Sequence, residues 1–279
     1  MGAPRVALVT GGSAGIGLEI ARGLFHAGHR VVLAVRSREK GAAAASDIAA
    51  GAREAPSVLE VDFASGRSIR SFADAFLSMH ESLDVLVNNA GTWSTSRRET
   101  GEGIEFVWAT NQLGYFLTTA LLRPALERAP RARVVSVASD LARDLDLTDV
   151  SFKRRRYTGV ASYAQSKQAN RMWTRALARR LSGTRVTANS MHPGGVATGL
   201  FGKGGGVIGK LAGLVMSRLG RSPKEGADTA LWLATSEEVE GRTGLYYVER
   251  RERRCRFENE AEEEKLWALC AAMTGVKAD

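Results

Sequence analysis

Apolar residues in this chain fall into two kinds of run that alternate along its length. Short aliphatic blocks occur at Arg5–Thr10 (RVALVT), Arg30–Val35, Ser57–Val61, Asp84–Val87, Arg133–Ala138, Arg185–Ser190 and around Gly244–Val248. Blocks with little polar alternation are what strands buried on both faces look like. Between them lie stretches whose apolar residues recur every three or four positions. These are LEIARGLFHAG (stopped by Gly28), about Lys40–Ala50, about Ser65–Met79, a long segment from Gly103, ASYAQSKQANRMWTRALARR, one from Pro223 and one from Asn259. Such spacing gives a helix one buried face. Strand and helix in strict alternation predict an α/β fold: a doubly wound parallel sheet of about seven strands with helices on both faces. Ligands of such sheets bind at the strands' carboxyl ends. The 279 residues suit one such domain over 1–279, with no repeat or linker to divide it.

The first strand runs into Thr10-Gly11-Gly12-Ser13-Ala14-Gly15-Ile16-Gly17 and then a helix. In that context glycines let backbone N–H groups approach a pyrophosphate, and the helix N-terminus adds its positive end. The spacing is G-x-x-x-G-x-G, a variant of the Rossmann-type dinucleotide fingerprint. After the second strand, Val35 stands near where an NAD site would place an acid for the ribose 2′-hydroxyl, and Arg36 follows it. A guanidinium there suits a 2′-phosphate; the plainer alternative is a surface arginine. Asp62 ends the third strand, where it can cap the next helix or hold an adenine amino group. Asn88-Asn89-Ala90-Gly91 ends the fourth and lets the backbone pass close to a ligand.

Tyr163 and Lys167 stand four apart in the helical ASYAQSKQAN run, which places them on one face. A cation beside a phenol brings its pKa, ordinarily ~10, toward the range useful for acid–base work. Asn111 lies among apolar neighbours and either repairs the backbone locally or serves a site. Ser139 closes the fifth strand. The run Lys153–Arg156 reads as a solvated loop in preference to an anion site, and His192 as a packed structural histidine. Residues 199 to 222 turn glycine-rich, then apolar, and are expected to form a substrate lid with a glycine hinge. A plain packed helix and a peripheral membrane contact are its alternatives.

Composition narrows the classes. The net charge of +9 comes from 39 basic and 30 acidic residues, dispersed instead of gathered into an aromatic-lined stripe, so no nucleic-acid partner is expected. No apolar run is long enough for a membrane span. Met-Gly-Ala-Pro-Arg leads straight into a strand, so no signal peptide is expected. Cys255 and Cys270 have no metal-ligand spacing and form no disulfide framework, so no metal is expected and the chain is assigned to the cytoplasm.

Thr10-Gly11-x-x-x-Gly15-Ile16-Gly17, Asn88-Asn89-Ala90-Gly91, Asn111, Ser139, Tyr163-x-x-x-Lys167 and Pro193-Gly194, in that order, resemble the short-chain dehydrogenase/reductase family over nearly the whole chain. Ala34-Val35-Arg36, the long Ser139–Tyr163 link and the tail from Ser222-Pro-Lys to Lys265-Leu-Trp267 resemble its retinol dehydrogenase-like branch. Members of that branch often carry an N-terminal membrane anchor, whereas this chain starts at its first strand. Ala138 stands where a second serine is common.

The resemblance implies an oxidoreductase passing hydride between NADP(H), preferred over NAD(H), and a carbonyl/alcohol pair, with a lipophilic aldehyde or ketone as substrate. It implies that Tyr163 gives the proton, that Lys167 lowers its pKa and holds the nicotinamide ribose, and that Ser139 bonds the carbonyl oxygen. It further implies that Asn111 anchors a relay water. Gly11, Ser13, Gly15, Ile16, Gly17, Arg36, Asp62, Asn89 and Ala90 would hold the adenine and phosphate side; Pro193, Gly194, Val196 and Thr198 would hold the carboxamide side. The family also implies a homodimer or homotetramer. A catalytically idle NADP-binding sensor or scaffold is the alternative.

Overall fold

The computed structural model describes residues 4–52, 54–195 and 221–277. Val196, Thr198 and nearly all of the expected lid therefore lie outside the described residues. The strands are β1 (Val6–Thr10), β2 (Arg30–Val35), β3 (Ser57–Glu60), β4 (Val85–Asn88), β5 (Ala132–Val137), β6 (Val186–His192), β7 (Tyr246–Val248) and β8 (Arg251–Arg253). They form one sheet in the order β3-β2-β1-β4-β5-β6-β7-β8. Pairing is parallel from β3 across to β7, and β8 closes the edge antiparallel to β7. The expected fold is there with one strand more. Arg251-Glu-Arg253 has no apolar residue to signal it; it is an exposed edge, where charge discourages pairing with another chain.

Alternate residues of each central strand feed the two faces. Val6 and Leu8 join a core with helices α3 (Gly66–Met79), α5 (Gly114–Arg128), α6 (Gly159–Arg180) and α8 (Glu260–Thr274). Ala7 and Val9 join a second core with α1 (Gly15–His26), α2 (Arg38–Ile48) and α7 (Pro223–Thr235). In α1 the buried positions Gly17, Ile20, Ala21 and Leu24 trace one helical stripe. The fully buried Trp108 and Trp173 are among the largest side chains of the core, where such burial contributes roughly 2–3 kcal/mol each.

The long helix expected from Gly103 starts later and is interrupted. A short α4 (Phe106–Trp108) leads into a π-helical turn, Ala109–Leu113, before α5. Turns of this kind are frequent at functional sites, and this one carries Asn111.

Candidate active site

Strand order reverses direction between β1 and β4, and in doubly wound sheets ligands bind at the carboxyl edge of such a switch point. The Thr10 hydroxyl donates to the Val87 carbonyl (3.2 Å) and accepts from the Asn89 and Ala90 amides at 2.8 and 2.9 Å. Asn89 returns its own amide to the Thr10 carbonyl at 2.8 Å. These bonds lock the glycine turn to the end of β4. Gly11 and Gly15 have φ of 69° and 58°, left-handed values that glycine tolerates. A side chain on Gly17 would run into Asn89 and the Gly11 carbonyl.

The turn fits a dinucleotide for a further reason. Ser37, Ser65, Thr158, Ser222 and Asn259 cap α2, α3, α6, α7 and α8 with their side chains, whereas the cap of α1 is Ala14, which makes no such bond, and its first turn has no acid. The amides at the start of α1 are thus left for an outside acceptor. Ser13, Ile16 and Gly15 line this turn, half-buried. Arg36, directly after β2, is exposed and makes no ion pair among the described residues. Asp62 is exposed, with Oδ1 accepting from the Ala64 amide at 3.0 Å. On the other side, Pro193 and Gly194 follow β6 at the same edge, Gly194 with φ of 83°.

The four expected catalytic residues come together from three elements. Tyr163 and Lys167 share a face of α6, and the Tyr163 hydroxyl is hydrogen-bonded to Ser139. Lys167 Nζ donates to the Val137 carbonyl at 2.8 Å and to Asn170 Oδ1 at 3.1 Å, lying 5.7 Å from the centre of the Tyr163 ring. The phenol differs from expectation: burial pushes Tyr163 up to about 12, with the Ser139 bond opposing it, and burial brings Lys167 down to about 7. Both ionised forms lose water here, and each group is driven toward its neutral state.

Asn111 is held by its own side chain. Its Oδ1 accepts from the Thr92 amide at 2.7 Å, and its Nδ2 donates to the Thr92 carbonyl (3.1 Å) and to Ser166 Oγ (3.0 Å). The side chain staples the loop after Ala90-Gly91 onto α6; it is thus backbone repair, but across the site and not within its own helix.

Several site residues had no sequence signal. Trp93 packs its ring 5.6 Å from that of Tyr163. Glu105, fully buried, accepts from the Val107 and Trp108 amides at 3.0 and 2.7 Å and from the Ser162 hydroxyl at 3.1 Å, joining the start of α4 to α6 beside Tyr163. Burial raises its pKa, those bonds opposing. Arg171, one turn beyond Lys167, donates to the Ser139 carbonyl and to the Tyr246 hydroxyl (2.6 Å) and stacks 3.9 Å over the Tyr246 ring.

The Lys153–Arg156 run is a loop with Lys153, Arg154 and Arg156 exposed, as expected, and it is pinned in place. Asp149 accepts from the amides of Lys153, Arg154 and Arg155, and Arg155 reaches Gln165 on α6 at 2.8 Å. An S/T/D cluster such as Thr148-Asp149 before a basic run was the available hint of a turn.

A sheet of this order, a glycine turn at its switch point and a tyrosine–lysine face opposite a serine define a nicotinamide-dependent oxidoreductase. The family model described as short chain dehydrogenase matches residues 5–204, and the chain belongs to that family. Within it the chain falls on the retinol dehydrogenase-like branch. Human retinol dehydrogenase 14 is 35% identical over 98% of this chain and 87% of its own length. Human retinol dehydrogenase 13 is 34% identical, with 98% and 86% covered. A crystal structure of an uncharacterized protein from Mycobacterium paratuberculosis superposes with a TM-score of 0.78 at 30% identity, covering 99% of this chain and 95% of that one. A short chain dehydrogenase from Escherichia coli, solved with NADPH, shares the fold at a TM-score of 0.66 and 23% identity, with 87% and 95% covered.

Proposed function

We propose that this chain is an NADP(H)-dependent oxidoreductase acting on a lipophilic aldehyde or ketone and the matching alcohol. The observation that carries the reading is the Tyr163–Ser139 hydrogen bond at the carboxyl end of β5 with Lys167 on the same helix face. Bound nicotinamide would supply the hydride to the carbonyl carbon. Charge then develops on the carbonyl oxygen, where the Ser139 hydroxyl donates a hydrogen bond and the Tyr163 hydroxyl gives its proton. A phenol held at about 12 keeps that proton at neutral pH. Lys167 would hold the ribose of a bound cofactor, and Asn111 holds the Thr92 segment against α6. The idle alternative is not supported, because serine, tyrosine and lysine are all present and assembled.

Preference for NADP(H) rests on Arg36, exposed and unpaired among the described residues at the end of β2, with Ser13 as a second contact. A lipophilic substrate is supported by Trp93 against Tyr163, by Leu141, 39% exposed two residues beyond Ser139, and by relatives whose names specify retinol. The apolar 199–222 stretch adds to this as a lid, read from its sequence. A cytoplasmic setting and a homodimer or homotetramer go with the proposal, checked by fractionation and light scattering; a peripheral membrane contact would show as co-sedimentation with vesicles. Among the described residues, no helix is long and apolar enough to cross a membrane.

The deciding experiment measures kcat/KM for a carbonyl series of rising apolar size with NADPH and with NADH, in the parent and in Arg36→Ala. A charged hydrogen bond contributes about 1.5–3 kcal/mol, so NADPH should lead by roughly 10–100-fold and Arg36→Ala should erase most of the lead. Equal use of the two cofactors by the parent, or a best substrate that is small and charged, would overturn the corresponding part.

A further inference from the structure

Asn170 lies on α6 one turn after Lys167 and has no exposed surface. Its Oδ1 accepts from Lys167 Nζ at 3.1 Å, while its Nδ2 donates to the Asn111 carbonyl at 2.8 Å and to Gln112 Oε1 at 2.9 Å. The amide's orientation follows from its partners. An ammonium only donates and a backbone carbonyl only accepts, so oxygen must face Lys167 and nitrogen must face Asn111. Gln112 in turn donates Nε2 to Cys270 Sγ at 3.5 Å, anchoring the chain of bonds in α8.

We propose that Asn170 is a positioning residue of this site, joining Lys167 to the Asn111 backbone through its own amide. The proposal rests on the oxidoreductase reading above. Among the described residues Lys167 Nζ has two acceptors, Val137 O and Asn170 Oδ1; an ammonium has three N–H bonds, so one donor is left over from these for a ligand. An amide neither gains nor loses a proton near neutrality. The contact therefore orients the ammonium without adding a counter-charge, and it does not pass protons on. The titratable groups facing Lys167 are Tyr163 on its own helix and Tyr115 at the start of α5, their ring centres 5.7 and 5.2 Å away. The loop after β4 brings the Gly91 backbone and β5 the Val137 carbonyl. Arg171 turns away to Ser139 and Tyr246. Among the described residues no carboxylate pairs with Lys167, consistent with its lowered pKa.

The test has an arm that needs no turnover. The chain has eight lysines, so NMR of side chains labelled at Cε can follow Lys167 in the cofactor-free protein, with Lys167→Met to identify its resonance. Asn170→Asp replaces a neutral acceptor by an anion of the same shape and should raise the Lys167 titration midpoint by about one to three pH units. Asn170→Ser removes the acceptor and should lower it, because a hydrogen bond to the charged form favours that form. An unchanged midpoint in whichever variant folds overturns the proposal. In kinetics, Asn170→Ser should lower kcat/KM with NADPH by about tenfold or more through misplacement of Lys167, with a shifted pH profile. A purely structural role would lower thermal stability and leave the profile in place. If the parent reduces no carbonyl, the oxidoreductase reading fails while the titration still decides Asn170.

Discussion

The two halves of α6 bury polar groups in opposite ways. In the first part, as far as Arg171, Lys167 and Arg171 are 3% exposed, and their hydrogen-bond partners are neutral: backbone carbonyls, an amide and a phenol, with the exposed Asp140 3.9 Å from Arg171. In the second half, Arg175, Arg179 and Arg180 face Glu258, Glu260, Glu263 and Glu264 around the start of α8. The consequences for charge are opposite as well. The Arg180 guanidinium holds Glu264 down to about 2, whereas burial without a counter-ion brings Lys167 to about 7. Charge is locked in where the helix is fastened to its neighbour and left adjustable where it meets the ligand. A carboxylate beside Lys167 would have strengthened its anchoring and removed that adjustability.

The largest expected effect comes from the first half. Tyr163→Phe keeps the ring and its packing against Trp93 but deletes the proposed proton donor. Loss of general acid catalysis is typically worth ~10²–10⁴-fold, so kcat should fall by that much while NADPH affinity stays within about twofold. The variant should also melt near the parent temperature, since the ring keeps its packing and the hydroxyl's bond to Ser139 is what it gives up. More than a tenth of parental kcat in Tyr163→Phe would remove Tyr163 from its role.

The second half should show the reverse pattern. Glu263 is fully buried and accepts from Arg175 at 2.8 Å and from Arg179. Glu263→Ala leaves both guanidinium groups facing its cavity. Breaking a buried pair costs about 3–5 kcal/mol, but these arginines keep 27% and 31% of their side-chain surface in solvent, so about 2–3 kcal/mol is expected. Chemical denaturation would report the loss, and kcat of the folded fraction should stay near that of the parent. A large drop in kcat without loss of stability would show that the two halves are not separable.

This division also marks what could be seen before the structure. Strands β1 to β7 and the helices around them follow from apolar periodicity, which is local information. The glycine turn and the Tyr163/Lys167 spacing are local too, and both ended at the expected edge of the sheet. What was hidden is long-range pairing. Asn170 meets the Asn111 carbonyl across 59 residues, and Arg171 meets Tyr246 across 75; neither partner carries a local pattern. The π-helical turn under Asn111 has ordinary helical composition, so the run from Gly103 reads as one continuous helix. β8 escaped because an exposed strand of Arg-Glu-Arg lacks the apolar alternation that marks a half-buried one. The sign of the Tyr163 shift was missed for a related reason: spacing shows that a cation is near, but burial decides which way the phenol moves.

That last point gives the smallest and most specific test. Burial brings the Lys167 ammonium down to about 7, against ~10.4 for a lysine in water. Between those values the unfolded chain binds a proton that the folded chain lacks, so stability should rise with pH across this window. The slope from one such group is on the order of 1 kcal/mol per pH unit. Lys167→Met has no proton to bind and should lose this part of the rise. The comparison belongs between about pH 7 and 9, because the phenols of Tyr163 and Tyr246, both raised to about 12, act in the opposite direction once ordinary tyrosines ionise near pH ~10. Melting or denaturant midpoints of the cofactor-free parent should climb through this range, those of Lys167→Met should climb less, and the variant's advantage should be greatest at the acidic end. Parallel curves would mean that the lysine keeps its ordinary pKa when buried. The neutral partners of α6 would then hold a fixed charge as firmly as the glutamates do in its second half.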